Sequence, residues 1–348
     1  MITSRLAFPL DMDEMLATWQ PEGQILLIDS PFGQQRSNVT STRLNTKFGD
    51  TVDRFSIYTG SSLDSESISF QHPHLTIPVT STNSLMQIYE KVCAKINEHS
   101  KCTVVLDATV LPSHITMALC QMIALSPYDT QPSLAEFIVA YTLPEMYAPA
   151  LGGGFTECEY LRPFSSGNTD PDDDREIGWI PIVGFSSMPT EYSLNFVCRE
   201  EQKRLSDDID LNTIRQTMVR HNTYPIVGWP PYRPDFFSRA LWENELLFGL
   251  LESNLHKVQY AAASDPFEIA MIIETIVESR SDLRFICSAH GSKPMNVGCA
   301  LACSKLGVPI IYSFARSSYS DPETSGNPGK TLMFWIYSRE QTDSDQTN

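Results

Sequence analysis

Arg284-Phe-Ile-Cys-Ser-Ala-His-Gly-Ser-Lys-Pro-Met-Asn-Val-Gly-Cys-Ala-Leu-Ala-Cys-Ser-Lys-Leu-Gly-Val-Pro-Ile-Ile-Tyr312 reads as strand, polar loop, helix and strand. An apolar run enters His290, Gly291, Ser292 and Lys293, and Pro294 then falls at the start of a helix, where its missing N–H costs nothing. Small residues fill the helix until the next apolar run begins at Val308. At the carboxyl edge of a parallel sheet, such a loop collects backbone N–H groups, the positive end of a helix dipole and one lysine. It is a place for an anionic ligand, a nucleotide above all.

Outward from this stretch, the chain passes through the same series of elements twice. Residues 24–32 and 224–232 are both apolar runs entering proline-containing turns, and the spacing makes them the first strands of equivalent units. The strand at 75–79 precedes the cap candidates Ser81, Thr82 and Asn83 and an amphipathic helix over 85–98. Its counterpart at 257–260 precedes Ser264, Asp265 and a helix over 267–278. Buried-type strands follow at 102–107 and 283–287, then loops with Pro112 and Pro294, helices over 113–124 and 295–305, and strands at 137–141 and 309–312. Strands alternating with helices define an α/β fold of two tandem Rossmann-like units with mainly parallel sheets, arranged as a pseudo-duplication.

The boundaries expected are 1–147 for the first unit and 223–338 for the second. Between them, 148–222 is a linker with connecting elements. Gly152, Gly153 and Gly154 and the acidic stretch 168–175 give this segment its loop character, and a strand at 180–185 within it is expected to close the first sheet. Helices around 213–219 and 240–255 should pack on the second unit. Residues 331–337 form its last strand, and the polar tail 339–348 is expected to be disordered.

With 348 residues, each of two domains can bury its own core, and the 42% apolar fraction is ordinary for a globular protein. The net charge of −17 argues against a general nucleic-acid binder, which needs a basic face. No run reaches the roughly 18 to 20 apolar residues that span a bilayer. The first residues carry Asp11, Asp13 and Glu14 where a signal peptide would be basic and then apolar. No membrane association and a cytoplasmic location are therefore expected. The eight cysteines include no CxxC pair and read as buried free thiols. His72 and His74 share a strand face, but no cysteine or acidic cluster completes a site, so no metal is expected.

The core of the expected ligand site is Lys293 with Gly291, Ser292 and His290, and Lys293 supplies the point charge for a phosphate. His290 has three roles open to it: contact with a base, donation to a phosphate, or acid–base chemistry. Ser264 and Asp265 cap the preceding helix and lie at the same sheet edge. Tyr312 is placed to stack on a base and Arg316 to grip an anion, with residues 320–330 as a lid. In the first unit, Asp107 stands where the second has its lysine loop; capping or loop hydrogen bonding, a ribose contact and proton transfer all remain open. Walker, Gly-x-Ser-x-Gly and His-Glu-x-x-His patterns are absent, so no catalytic motif is identified.

Ser288-Ala-His-Gly-Ser-Lys-Pro-Met295, set between two strands and followed by a small-residue helix, resembles the ligand loop of the CRISPR-associated Rossmann fold sensor domains of prokaryotic immunity. His290 stands where that family often has a second glycine, and no nuclease or protease effector is visible in the chain. The resemblance implies a nucleotide or cyclic oligonucleotide ligand and a sensor or regulatory subunit in antiviral defence, working with a protein partner or as a homo-oligomer. Two alternatives stand beside it. One is an enzyme that processes a nucleotide or NAD-like substrate through His290 or Asp107; the other is a structural, partner-binding subunit of a defence complex.

Overall fold

Strands buried on both faces read as continuous apolar runs, and Cys102–Asp107 is buried at every position. The computed structural model describes residues 9–30, 35–59, 74–77, 82–124, 131–145, 155–161, 173–205, 209–315 and 327–338. Its elements run β1 (Leu10–Asp11), α1 (Met12–Thr18), β2 (Gln24–Asp29), α2 (Val39–Phe48), β3 (Val52–Thr59), β4 (His74–Ile77), α3 (Thr82–Asn97), β5 (Cys102–Asp107), α4 (Ser113–Ala124) and β6 (Leu134–Pro144). They continue with β7 (Phe155–Tyr160), β8 (Glu176–Ile182), α5 (Ser187–Leu205), α6 (Leu211–Asn222), β9 (Ile226–Gly228), α7 (Pro234–Glu243) and α8 (Glu245–Leu251). The last are β10 (Gln259–Ala261), α9 (Pro266–Ser279), β11 (Leu283–Ala289), α10 (Lys293–Leu306), β12 (Ile310–Ala315) and β13 (Pro328–Ser338).

The first sheet has the order β1-β13-β6-β5-β2-β3-β4 and the second β10-β9-β8-β11-β12-β7. Numbered within its own unit, each contains the parallel order 3-2-1-4-5; beyond the fifth strand the first sheet adds antiparallel β13 and then β1, and the second adds antiparallel β7. This is the doubly wound arrangement of a Rossmann-like unit, in which the chain reverses direction across the sheet between the first and fourth strands. The fold is thus α/β with two Rossmann-like units, and the equivalence extends to strand order.

The composition of the two units corrects the expected boundaries. One comprises residues 1–149 and 318–348, the other 150–317. The segment 148–222 is not a linker, because it supplies β7, β8, α5 and α6 to the second unit. β8 does not close the first sheet: it is the central first strand of the second, pairing in parallel with β11 from Leu283↔Glu176 to Ala289↔Ile182. The run at 224–232 therefore contains the second strand, β9, and the true counterpart of β2 is β8.

Pro181 explains why β8 is hard to read as a central strand. Trp179 C=O accepts from Tyr224 N–H and Val183 N–H donates to Ile226 C=O, so alternate residues aim their polar groups at β9. Pro181 falls in that series without an N–H to give, a position at which proline ordinarily marks an edge. Burial on both faces outweighs the missing bond, since Ile177, Trp179, Ile180 and Ile182 have no exposed surface.

β13 makes the second correction. It pairs antiparallel with β6 in the first sheet, Leu332 opposite Tyr141 and Phe334 opposite Val139, and does not end the second unit. Trp335 anchors it there by meeting Trp19 edge to face at 6.1 Å. Both indole N–H groups donate to Glu136, at 3.3 Å from Trp19 and 3.1 Å from Trp335. Reciprocally, β7, which follows β6 in the chain, pairs with β12 in the second sheet.

Candidate functional site

The carboxyl ends of the second sheet's strands carry the expected ligand residues. β11 ends at Ala289, and the chain turns through His290 and Gly291 into Ser292, the N-cap of α10, whose extended backbone frees its hydroxyl to face the helix. Ser292 Oγ donates to Ala263 C=O at 2.5 Å and accepts from Met295 N–H at 3.4 Å. Lys293 opens the helix and Pro294 follows in its first turn. α10 stops at Gly307, which adopts the left-handed conformation at the cap.

Ala263 C=O is the point on which the neighbouring loops converge, because it also accepts from Tyr232 Oη at 2.6 Å. Trp229 N–H donates to Ala261 C=O and Ala263 N–H to Pro230 C=O, fastening the loop after β9 to the loop after β10. Two glycines permit the approach of the central loops. A Cβ on Gly184, after β8, would lie 1.9 Å from His290 O; one on Gly291 would lie 2.6 Å from Ile182 Cγ2 and 3.1 Å from Met295 Sδ. Gly291 is thus required by the packing of β8 and α10 around it.

Asp265 caps α9, accepting from Phe267 N–H at 2.9 Å and Glu268 N–H at 3.2 Å. Burial raises its pKa, and these two amides oppose the rise. Glu268 returns a bond to the same loop by accepting from Ala262 N–H at 2.7 Å. Ser264 lies between these groups in the loop after β10. The structure therefore brings Ser264, Asp265, Gly291, Ser292 and Lys293 to one sheet edge, with Asp265 and Ser292 engaged as helix caps.

His290 faces inward. Its Nε2 lies 2.8 Å from Ser193 Oγ on α5, and its ring meets that of Tyr312 at 5.8 Å between centroids. The residue keeps some surface, but its imidazole is enclosed, and burial lowers its pKa to about 3, leaving it neutral near pH 7. Ser193 Oγ also reaches Ser313 Oγ at 3.3 Å and Cys158 Sγ at 3.7 Å, while Ser313 Oγ donates to Pro189 C=O at 3.1 Å. Ser193 has no exposed surface, so this histidine–serine pair ties α5 to β11 and does not present a nucleophile to solvent. Arg316, most of the expected lid at 320–330, and the tail 339–348 lie outside the described residues. So does His72, and of His74 only the backbone is described.

The first unit holds a polar cluster at the equivalent place. Ile28 and Leu106 are paired on β2 and β5, so Asp29 and Asp107 stand side by side one position further, at the point where strand order reverses. Asp29 accepts from Arg54 Nε at 2.8 Å and from Ser56 Oγ at 2.8 Å, and the Arg54 guanidinium completes an ion pair at 2.7 Å. Asp107 accepts from Thr109 N–H at 2.9 Å, the loop hydrogen bond that its sequence position allowed. Burial raises its pKa to about 6, Thr109 opposes that rise, and the charge of Asp29 adds to it. Thr109 Oγ1 accepts from Thr142 N–H at 2.9 Å, and Arg36 donates to Thr142 C=O at 2.9 Å.

Asp29, Arg36, Arg54, Ser56 and Ser193 were not singled out from the sequence. A signal existed for one of them: Gln24-Ile-Leu-Leu-Ile-Asp29 and Cys102-Thr-Val-Val-Leu-Asp107 are apolar runs ending alike in aspartate. Among the described residues, no helix is long and apolar enough to cross a membrane. No protein-family model matches the chain, and no curated protein matches it.

Proposed function

We propose that the chain binds an anionic, nucleotide-type ligand at the carboxyl edge of its second sheet and acts as a sensor or regulatory subunit in bacterial antiviral defence. The observation that carries the ligand reading is the convergence of the loops after β8, β9, β10 and β11 beside the strand-order reversal, with the N-terminus of α10 and Lys293 among them. A phosphate there would take backbone N–H donors and the lysine's charge, and aromatic groups near β9 and β12 would face the base. The defence role rests on the resemblance of residues 288–295 to the sensor family's loop.

A second reading, nucleotide processing in the first unit, is favoured by one observation. Asp107 has its pKa raised to about 6 beside Asp29, which suits a group that exchanges a proton near neutral pH. Product formed from nucleotides by the wild type and not by Asp107→Asn would select this reading.

Thermal unfolding of wild type and Lys293→Ala against mono-, di- and cyclic nucleotides tests the ligand proposal. A ligand at about 100 times its Kd adds roughly 2.7 kcal/mol. The expected result is a rise in Tm for wild type that is lost in Lys293→Ala; no rise with any nucleotide overturns it.

A further inference from the structure

Cys287 lies on β11, and Cys299 and Cys303 lie one helical turn apart on α10. Strand alternation separates the two faces of β11. Ser288 accepts from the Trp179 indole at 3.1 Å on one face, which leaves Cys287 on the other, beneath α10. The three sulfurs lie within 4.8 Å of one another, with Cys299 and Cys303 Sγ 3.8 Å apart. All three residues are buried, with exposures of 0%, 0% and 1%.

Small size alone does not account for this cluster. Ala300 and Ala302 fill neighbouring positions of the same helix, so the tight packing of α10 is met without sulfur. Three thiols converging from a strand and two successive helix turns match a thiolate metal centre. Metal–sulfur bonds of about 2.3 Å place two sulfurs roughly 3.8 Å apart in tetrahedral and roughly 4.0 Å apart in trigonal coordination. Among the described residues, no fourth histidine, cysteine, aspartate or glutamate joins the group.

We propose that Cys287, Cys299 and Cys303 form a three-thiolate site for a thiophilic metal ion. The donor set favours three-coordinate Cu(I) over Zn(II), because zinc takes a fourth donor and none joins the group among the described residues. On binding, three S–H bonds break, three protons leave to solvent and three metal–sulfur bonds form, so affinity falls on acidification. No electron is transferred. The ion pins α10 to β11, the two elements joined by the loop at His290–Ser292, and so fixes the edge of the candidate ligand site without touching the ligand. The sequence has no CxxC pair to announce such a site, because its spacing is formed by folding.

The test uses the full chain, reduced and free of oxygen, loaded separately with Cu(I) as its acetonitrile complex and with Zn(II), then desalted. Metal content is measured for wild type, Cys299→Ala and Cys303→Ala, with Cys120→Ala in the first unit as control. The expected result is one equivalent of Cu(I) held by wild type and control and lost from the two helix variants. Zinc retained with the same dependence also supports the thiolate site and identifies a divalent occupant. Equal retention by wild type and Cys299→Ala overturns the proposal. X-ray absorption of the loaded wild type keeps the test independent of variant folding: three sulfur neighbours are expected, and a shell of nitrogen and oxygen overturns the site.

Discussion

Asp107 and His290 are buried groups whose protonation pulls stability in opposite directions. Between its unfolded value of 3.8 and its folded value of about 6, Asp107 keeps a proton in the native state that the unfolded chain has released, so its contribution falls as pH rises. Asp107→Asn should flatten that slope and raise stability at pH 7 by on the order of 1 kcal/mol, as read from urea midpoints between pH 4 and 8. His290 acts inversely. Its folded value of about 3 lies below 6.5, so the unfolded chain binds the extra proton and stability falls as pH drops through that window. His290→Gln should lose less stability than wild type on going from pH 7 to pH 4, in the same measurement. Both residues stand out in the sequence because each ends an apolar run. The groups around them do not: Arg54 and Ser56 reach Asp29, the neighbour of Asp107, from the adjacent strand, and Ser193 reaches His290 from 97 residues away, so only pairing brings them into view.

At the level of elements, α9 and α10 pack through Gly298, where a Cβ would lie 2.1 Å from Pro266 O and 2.8 Å from Ile269 Cβ. Gly298→Ala should therefore cost about 1–3 kcal/mol of stability, because backbone must move to admit the methyl. Gly249 in α8 provides the contrast. A Cβ there meets nothing within 4 Å, and Gly249→Ala should stabilise by about 0.4–1 kcal/mol through the unfolded chain. Urea unfolding of both variants checks the pair; equal effects would contradict the packing described. Elements with strong local punctuation were readable from the sequence: β5 and α4 match the expected 102–107 and 113–124, the helix beginning directly after Pro112. β8 was assigned to the wrong sheet because Pro181 lowers its strand character while its two buried faces, which decide its place, are a tertiary property. α5 was not foreseen, although Pro189 stands in its first turn and the helix supplies Ser193.

For the whole molecule, each unit owes the antiparallel strand beside its fifth parallel strand to a distant part of the chain. Local order suggests that β6 would pair with β7 and β12 with β13, yet β13 joins β6 and β7 joins β12. Alternating hydrophobicity states that a strand is half-buried and not which sheet covers it, so this exchange could not be read from sequence. Residues 150–317 should accordingly fold as an isolated fragment, whereas 1–149 alone should leave the β6 edge unpaired and aggregate. Joining 327–338 to 1–149 through a flexible linker should restore a cooperative unfolding transition, followed by circular dichroism; a soluble, cooperative 1–149 would refute the dependence. The exchange also sets the timetable of biosynthesis. A chain emerging from the ribosome ordinarily completes its leading domain first. Here the later of the two units has all of its described strands once β12 is out, while the earlier one must wait for β13, so of these two units the one begun first is finished last.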